Sequence, residues 1–204
     1  MNKKYAIVFA LFIAFFIPCN LQATGNAALS FTGNETWTWS GATIGWEFSI
    51  SQTLNITALG IFDENNDGLA TSHQVGIWNL SGTLLVSTTV LSGTSSVLLD
   101  RFRYESANYT LAAGTYVVGA YMPDGQDKGA AHSSYTTHAL VTYNRNLYLY
   151  SAGFVKPTQH WTNYDGGNFG ANFQFNTGSV PEVSTFLLLG LGVSVLFFRR
   201  FFPI

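Results

Sequence analysis

The segment whose residue types and spacing come closest to a chemistry is Asp63-Glu64-Asn65-Asn66-Asp67-Gly68. It reads D-x-N-x-D-G, the first half of a calcium-binding loop, in which oxygen ligands fall on alternate residues and the glycine allows a sharp turn around the ion. On that pattern Asp63, Asn65 and Asp67 are candidate ligands of a structural Ca²⁺ that pins a loop between two strands. A full EF-hand loop ends in a bidentate Glu at its twelfth position, and here that position is Gln74. No helix pattern flanks the loop either. An Asn-rich turn whose side chains hydrogen-bond their own backbone accounts for the same residues without a metal. Both readings stay open on the sequence.

Other chemistry finds less support. His73, His132, His138 and His160 fall at no metal spacing, since zinc asks for pairs three or four residues apart. Each reads as a surface or sheet-edge residue. His73 and Asp63 flank one loop, but no Ser or Cys in a recognisable nucleophile elbow accompanies them. Glu35, Glu47, Asp100 and Glu105 supply carboxylates for a glycosidase pair, yet nothing in their spacing singles out two of them. With no nucleophile–base set to name, the chain reads as a non-enzyme. Sugar binding is the stronger rival, because five Trp and ten Tyr offer flat apolar faces. Trp46 and Trp78 lie within strand patterns and read as core. Trp161 lies in a Gly/Asn-rich loop with Tyr164 near by, and the two form a candidate ligand patch at a sheet end.

These residues need a frame to hold them. The chain is 47% hydrophobic and only 10% charged, and its length of 204 residues suits one domain. Between Thr24 and Gly178, five Lys/Arg against ten Asp/Glu leave a net charge of −5, which argues against nucleic acid as a partner. Thr, Ser, Gly, Asn and aromatics dominate this middle and favour strands and tight turns. Strands are expected over residues 43–50, 54–62, 73–80, 83–91, 97–104, 115–122, 139–143, 146–154 and 168–175. Ser81-Gly82 and Ser92-Gly93 suit hairpin turns, where Gly takes a positive φ. No capped 3.6-residue apolar period competes. The expected fold is all-β, an antiparallel two-sheet sandwich of jelly-roll type over residues 30–178.

The two ends read differently. Lys3 and Lys4 precede an apolar run from Tyr5 to Ile17, and Leu21-Gln22-Ala23 offers a cleavage site, so residues 1–23 read as a helical signal peptide for signal peptidase. Cys19 is the single cysteine, and Pro18 before it argues against a lipoprotein signal. Cleavage after Ala23 leaves a chain with no disulfide to stabilise it. At the other end, Val180-Pro181-Glu182-Val183 leads into an apolar stretch from Phe186 to Phe198 and then Arg199-Arg200. A basic pair holds its side of such a helix in the cytoplasm, leaving the body of the protein outside.

Residues 180–204 resemble the PEP-CTERM sorting signal of exported proteins in Gram-negative bacteria. The residues that carry the likeness are Val180, Pro181 and Glu182, the short transmembrane helix and the Arg199-Arg200 pair, with Val183 departing from the usual second proline. The resemblance implies processing by an exosortase-type membrane protease, membrane anchorage beforehand, and a cell-surface or matrix destination. The middle resembles a bacterial surface β-sandwich family of uncharacterised function. Ile44-Gly45-Trp46-Glu47-Phe48, Thr57 to Asp63, His73 to Trp78, Leu111 to Tyr116 and Gly170-Ala171-Asn172-Phe173 carry that likeness. The functional expectation is an exported, non-catalytic envelope or matrix protein. A carbohydrate-binding module for exopolysaccharide is the alternative, and a secreted hydrolase ranks third.

Overall fold

Alternation of large apolar and small polar residues builds this fold. In Ala42–Ile50 the side chains of Ile44, Trp46, Phe48 and Ile50 fall on one face and are buried, while Glu47 and Ser49 take the other face and stay partly open. The computed structural model describes residues 25–33, 35–162 and 167–177. The signal peptide 1–23, the sorting segment 180–204 and Tyr164 lie outside them.

Among the described residues there are fourteen strands and no helix. The first are β1 (Asn26–Ala27), β2 (Leu29–Thr32), β3 (Thr36–Thr38), β4 (Ala42–Ile50) and β5 (Leu54–Phe62). Next come β6 (His73–Asn79), β7 (Leu84–Val90), β8 (Val97–Leu99), β9 (Phe102–Leu111) and β10 (Gly114–Met122). The last are β11 (Lys128–Thr137), β12 (Val141–Tyr150), β13 (Gly167–Phe169) and β14 (Ala171–Asn176). One five-stranded sheet runs β1-β14-β5-β9-β8 and a second runs β12-β4-β10-β6-β7. A third, smaller sheet runs β13-β11-β2, with β3 also on β11. Every pairing is antiparallel.

The two large sheets meet through aromatic rings, which makes the arrangement sandwich-like. Trp46 on β4 stacks on Phe173 of β14 with centroids 5.8 Å apart and planes 17° apart. Phe48 packs on the same ring at 4.7 Å. The indole Nε1 of Trp46 also donates to the Ala171 carbonyl at 2.8 Å, so its one polar atom is satisfied inside the core. The third sheet closes a flank, where Phe31 of β2 contacts Phe62, Phe102 and Phe169 at 5.3, 5.7 and 5.6 Å.

The structure redraws several expected strands. The stretch 97–104 is two strands, because Asp100 (φ 52°) and Arg101 (φ 69°) form a two-residue turn that pairs Leu99 with Phe102. The break expected between residues 143 and 146 is a bulge, and β12 runs through it. Residues 168–175 divide at Gly170 into strands of different sheets. Truncating the ring shared by the two sheets tests the core directly. Phe173→Ala should lower unfolding stability by about 3–5 kcal/mol, read as a shifted urea midpoint of the full chain.

Candidate functional site

The loop from Asp63 to Gly68 folds around a guanidinium. Arg103 sits on β9 opposite Ile61 of β5, which carries its side chain past the end of β5. Its Nε donates to Asp63 Oδ2 at 2.6 Å, and both side chains are almost wholly buried. Nη1 donates to the carbonyls of Thr94 and Ser96, and Nη2 to that of Asn66, each at 3.1 Å. Asp63 Oδ2 takes a second hydrogen bond from the Gly68 amide at 3.0 Å. Asn66 (φ 62°) and Gly68 (φ 115°) supply the left-handed backbone that curls the loop back.

This geometry bears on the calcium expectation. Asp63 turns inward to Arg103, while Asn65 and Asp67 are exposed. A guanidinium already holds four oxygen acceptors where the ion was expected, and like charge opposes a second cation there. Among the described residues no three His, Cys, Asp or Glu side chains are grouped to hold a metal. Asp63 Oδ2 is thus committed to Arg103 and the Gly68 amide, on the opposite side from exposed Asn65 and Asp67.

Beyond the loop lies an open cavity of about 330 Å³, lined by Glu64, Asp67, Asp127 and Lys128 among others. Lys128 Nζ reaches Glu64 Oε2 at 3.1 Å, and Thr36 donates to Glu64 Oε1 at 2.7 Å. The Thr36 hydrogen bond is the largest influence on Glu64; with help from Lys128 it holds the carboxyl below its usual range against the opposing effect of burial. On the far wall, Asp127 accepts from the amides of Ala70 and Thr71 at 2.9 and 3.0 Å. His73, expected at a surface or edge, is 1% exposed instead. Its Nδ1 lies 2.8 Å from the Tyr121 carbonyl oxygen and its Nε2 2.8 Å from Asp127 Oδ2. Both ring nitrogens have oxygen neighbours, and Thr71 Oγ1 also stands 3.4 Å from Nε2. Of the four carboxylates weighed as an acid pair, Glu47 binds Arg145 at 2.7 Å, Glu105 accepts from Ser96 at 2.6 Å and Glu35 accepts from Trp37 at 3.3 Å.

The aromatic patch is larger than its sequence suggests. Trp161 contacts Trp37, Trp39 and Tyr148 at 5.1, 5.2 and 5.0 Å. Tyr150 joins through Trp39 at 6.2 Å and is 58% exposed. Trp39 is buried beneath, whereas Trp37, Tyr148 and Trp161 are half-buried. Two backbone hydrogen bonds between Gln159 and Tyr148, both 2.9 Å, bring the Trp161 segment onto β12. Sequence reasoning counted Trp37, Trp39 and the tyrosines among the rings that could stack on sugars but did not place them beside Trp161. The signal was the two-residue spacing within each pair, which puts both rings on one side of an extended chain; Tyr148 and Tyr150 share β12, and Trp39 follows directly after β3.

A family profile described as "Domain of unknown function (DUF4082)" matches residues 31–169. The chain belongs to that family. No curated protein and no solved structure matches it. The cavity residues and the aromatic cluster both fall inside the DUF4082 span, whereas β1 and β14 lie outside it.

Removing one partner of a buried ion pair strands the other, so Asp63→Ala should cost about 3–5 kcal/mol in unfolding stability. Added Ca²⁺ should leave the Tm of the unaltered DUF4082 chain unmoved; a rise would restore the calcium reading. Acid should loosen the cavity wall in a defined way. Burial pushes the Asp127 carboxyl up, but hydrogen bonds from His73, Ala70 and Thr71 outweigh it and leave the group below its ordinary value. A lowered folded value means the stabilisation is complete above the unfolded value of about 3.9 and is lost as pH falls through the folded one. Amide exchange at Ala70 and Thr71 should accelerate over that range, and Asp127→Asn should flatten the dependence.

Proposed function

We propose that this DUF4082 chain is an exported, non-catalytic protein of the cell envelope or extracellular matrix, which acts by binding matrix polysaccharide. The half-exposed cluster of Trp37, Tyr148, Tyr150 and Trp161 over buried Trp39 carries the binding reading. Such rings present apolar faces to the C–H faces of sugar rings. The exposed Gln159 beside them supplies a polar group to orient hydroxyls.

The destination rests on the sequence outside the described residues. Lys3-Lys4 with the apolar run from Tyr5 to Ile17 supports export and removal by signal peptidase. Val180-Pro181-Glu182, the apolar run and Arg199-Arg200 support handling by an exosortase-type protease, with membrane anchorage before processing. On this reading the domain is a jelly-roll-like sandwich over residues 30–178 that remains at the surface or in the matrix.

Intact mass of the protein recovered from its own cells tests the destination. The expected chain starts near Thr24 and ends near Pro181 or Glu182; one that keeps Phe186 to Arg200 and fractionates with membrane overturns sorting-signal processing. Binding to the cells' own exopolysaccharide, followed by calorimetry, tests the ligand. Trp161→Ala should weaken it roughly tenfold, as expected for loss of an aromatic anchor. Equal affinity in the variant, or no binding at all, sinks the carbohydrate reading.

A further inference from the structure

The open rings of the aromatic cluster do not lie in one plane. Trp37 and Trp161 meet at 65°, Trp161 and Tyr148 at 58°, and Tyr148 and Tyr150 at 77°. In the order Trp37, Trp161, Tyr148, Tyr150, each ring is therefore turned steeply from the one before. Tyr150 is exposed and the other three are half-buried. Trp39, only 4% exposed, touches Trp161, Tyr148 and Tyr150 at 36°, 44° and 35° and closes the bottom. The shape is a notch with angled walls rather than a flat platform.

The backbone around these rings fixes their tilt. On one wall, the Trp161 amide donates to Asn146 Oδ1 at 3.3 Å, and Asn146 is 5% exposed. Gln159 is bonded in both directions to Tyr148, and Tyr148 and Tyr150 lie on β12 in register with Ile44 and Ala42 of β4. On the other wall, Trp37 lies on β3 opposite Gly129. Its Nε1 donates to Glu35 Oε1 at 3.3 Å, and the Glu35 carbonyl accepts from the Ala131 amide at 2.9 Å. Rings carried on paired strands and tied through their neighbours cannot swing into one plane without breaking these bonds.

This matters for the form of a sugar ligand. A packed polymer surface such as crystalline cellulose presents one flat face, and only coplanar rings can stack on it together. A single chain in solution turns at each glycosidic bond, so successive sugars offer their C–H faces at different tilts. We propose that the notch grips one hydrated polysaccharide chain, stacking successive units on rings of both walls, and does not adsorb to packed polymer. The proposal rests on the carbohydrate reading above and specifies the physical form of its ligand. Walls that are already fixed leave little ordering to be lost on binding. Glu35, held beside Trp37, and Gln159 place hydrogen-bonding groups at the rim for sugar hydroxyls.

The test uses the full chain in mild detergent with soluble oligosaccharides cut from the cells' own exopolysaccharide, and with microcrystalline cellulose. The oligosaccharides should bind in calorimetry and displace the protein from intact exopolysaccharide, and cellulose should leave it in the supernatant. Trp37→Leu and Tyr150→Leu keep apolar bulk but remove a ring from either wall, and each should weaken oligosaccharide binding roughly three- to tenfold. Tyr150, the exposed ring, decides if Trp37→Leu also lowers the urea midpoint. Three results overturn the notch and leave the carbohydrate reading standing. They are adsorption to cellulose, binding to intact exopolysaccharide that oligosaccharides fail to reverse, and Tyr150→Leu without effect where Trp161→Ala abolishes binding. No binding to oligosaccharides or to intact exopolysaccharide overturns both.

Discussion

A buried guanidinium is costly unless every face of it finds an oxygen, and Arg103 imposes that condition on one end of this molecule. To meet it, Asp63 must stop at the end of β5, Asn66 must turn its carbonyl inward, and Thr94 and Ser96 must lie alongside before β8 begins. Two separate stretches of chain, 63–66 and 94–96, are placed by one side chain. A second buried pair completes the arrangement, since His73 and Asp127 clasp each other at the start of β6. Residues 63–73 carry the chain from the β5 sheet to the β6 sheet, and this crossing is anchored at one end by the Arg103–Asp63 ion pair and at the other by the His73–Asp127 hydrogen bond. The cavity between the two pairs owes its shape to them.

How much of this was legible follows from what is local. Strands β4, β5, β6 and β10 show in the sequence because large apolar residues alternate within them, and their register follows from which face must be buried. The β8–β9 turn was hidden, because Asp100-Arg101 adopts positive φ without a glycine to announce it. Strand β11 was hidden as well, since Lys128-Gly129-Ala130-Ala131 carries no large apolar side chain and gains its place by pairing with β2, β3 and β13. The Asp63–Gly68 turn was visible as a turn with oxygen-bearing residues. Its cation was not, because Arg103 lies 40 residues away and reaches Asp63 only once β5 and β9 have paired. The aromatic cluster was half visible in the same sense. The spacings of Trp37 and Trp39 and of Tyr148 and Tyr150 were on show, but the bridge from Gln159 to Tyr148 is a tertiary event.

The domain also shows how a chain with a single cysteine and few charges is held together. Its interior relies on ring-on-ring contact across the sheets, with Trp46, Phe48, Phe169 and Phe173 forming one connected group. Each ring buries a large apolar area with little side-chain entropy to lose. The few charges that do go inside are paired and hydrogen-bonded, which leaves polar contacts to specify the loops while aromatic packing supplies cohesion.

The pairing of β1 with β14 has a mechanical meaning. Asn26 lies opposite Phe175, so the described chain enters and leaves at one corner of the sandwich. Force applied between those two points peels a two-residue strand away, opening its hydrogen bonds one after another, and meets little resistance. Force applied between the end of β14 and the distant aromatic cluster is directed differently. It runs along β14, which is flanked by β1 and β5 and locked to β4 by the Trp46–Phe173 stack, so many bonds must shear together. A tether on the C-terminal side of β14 thus pulls this domain along its strong direction, whereas traction at both ends unzips its weak one.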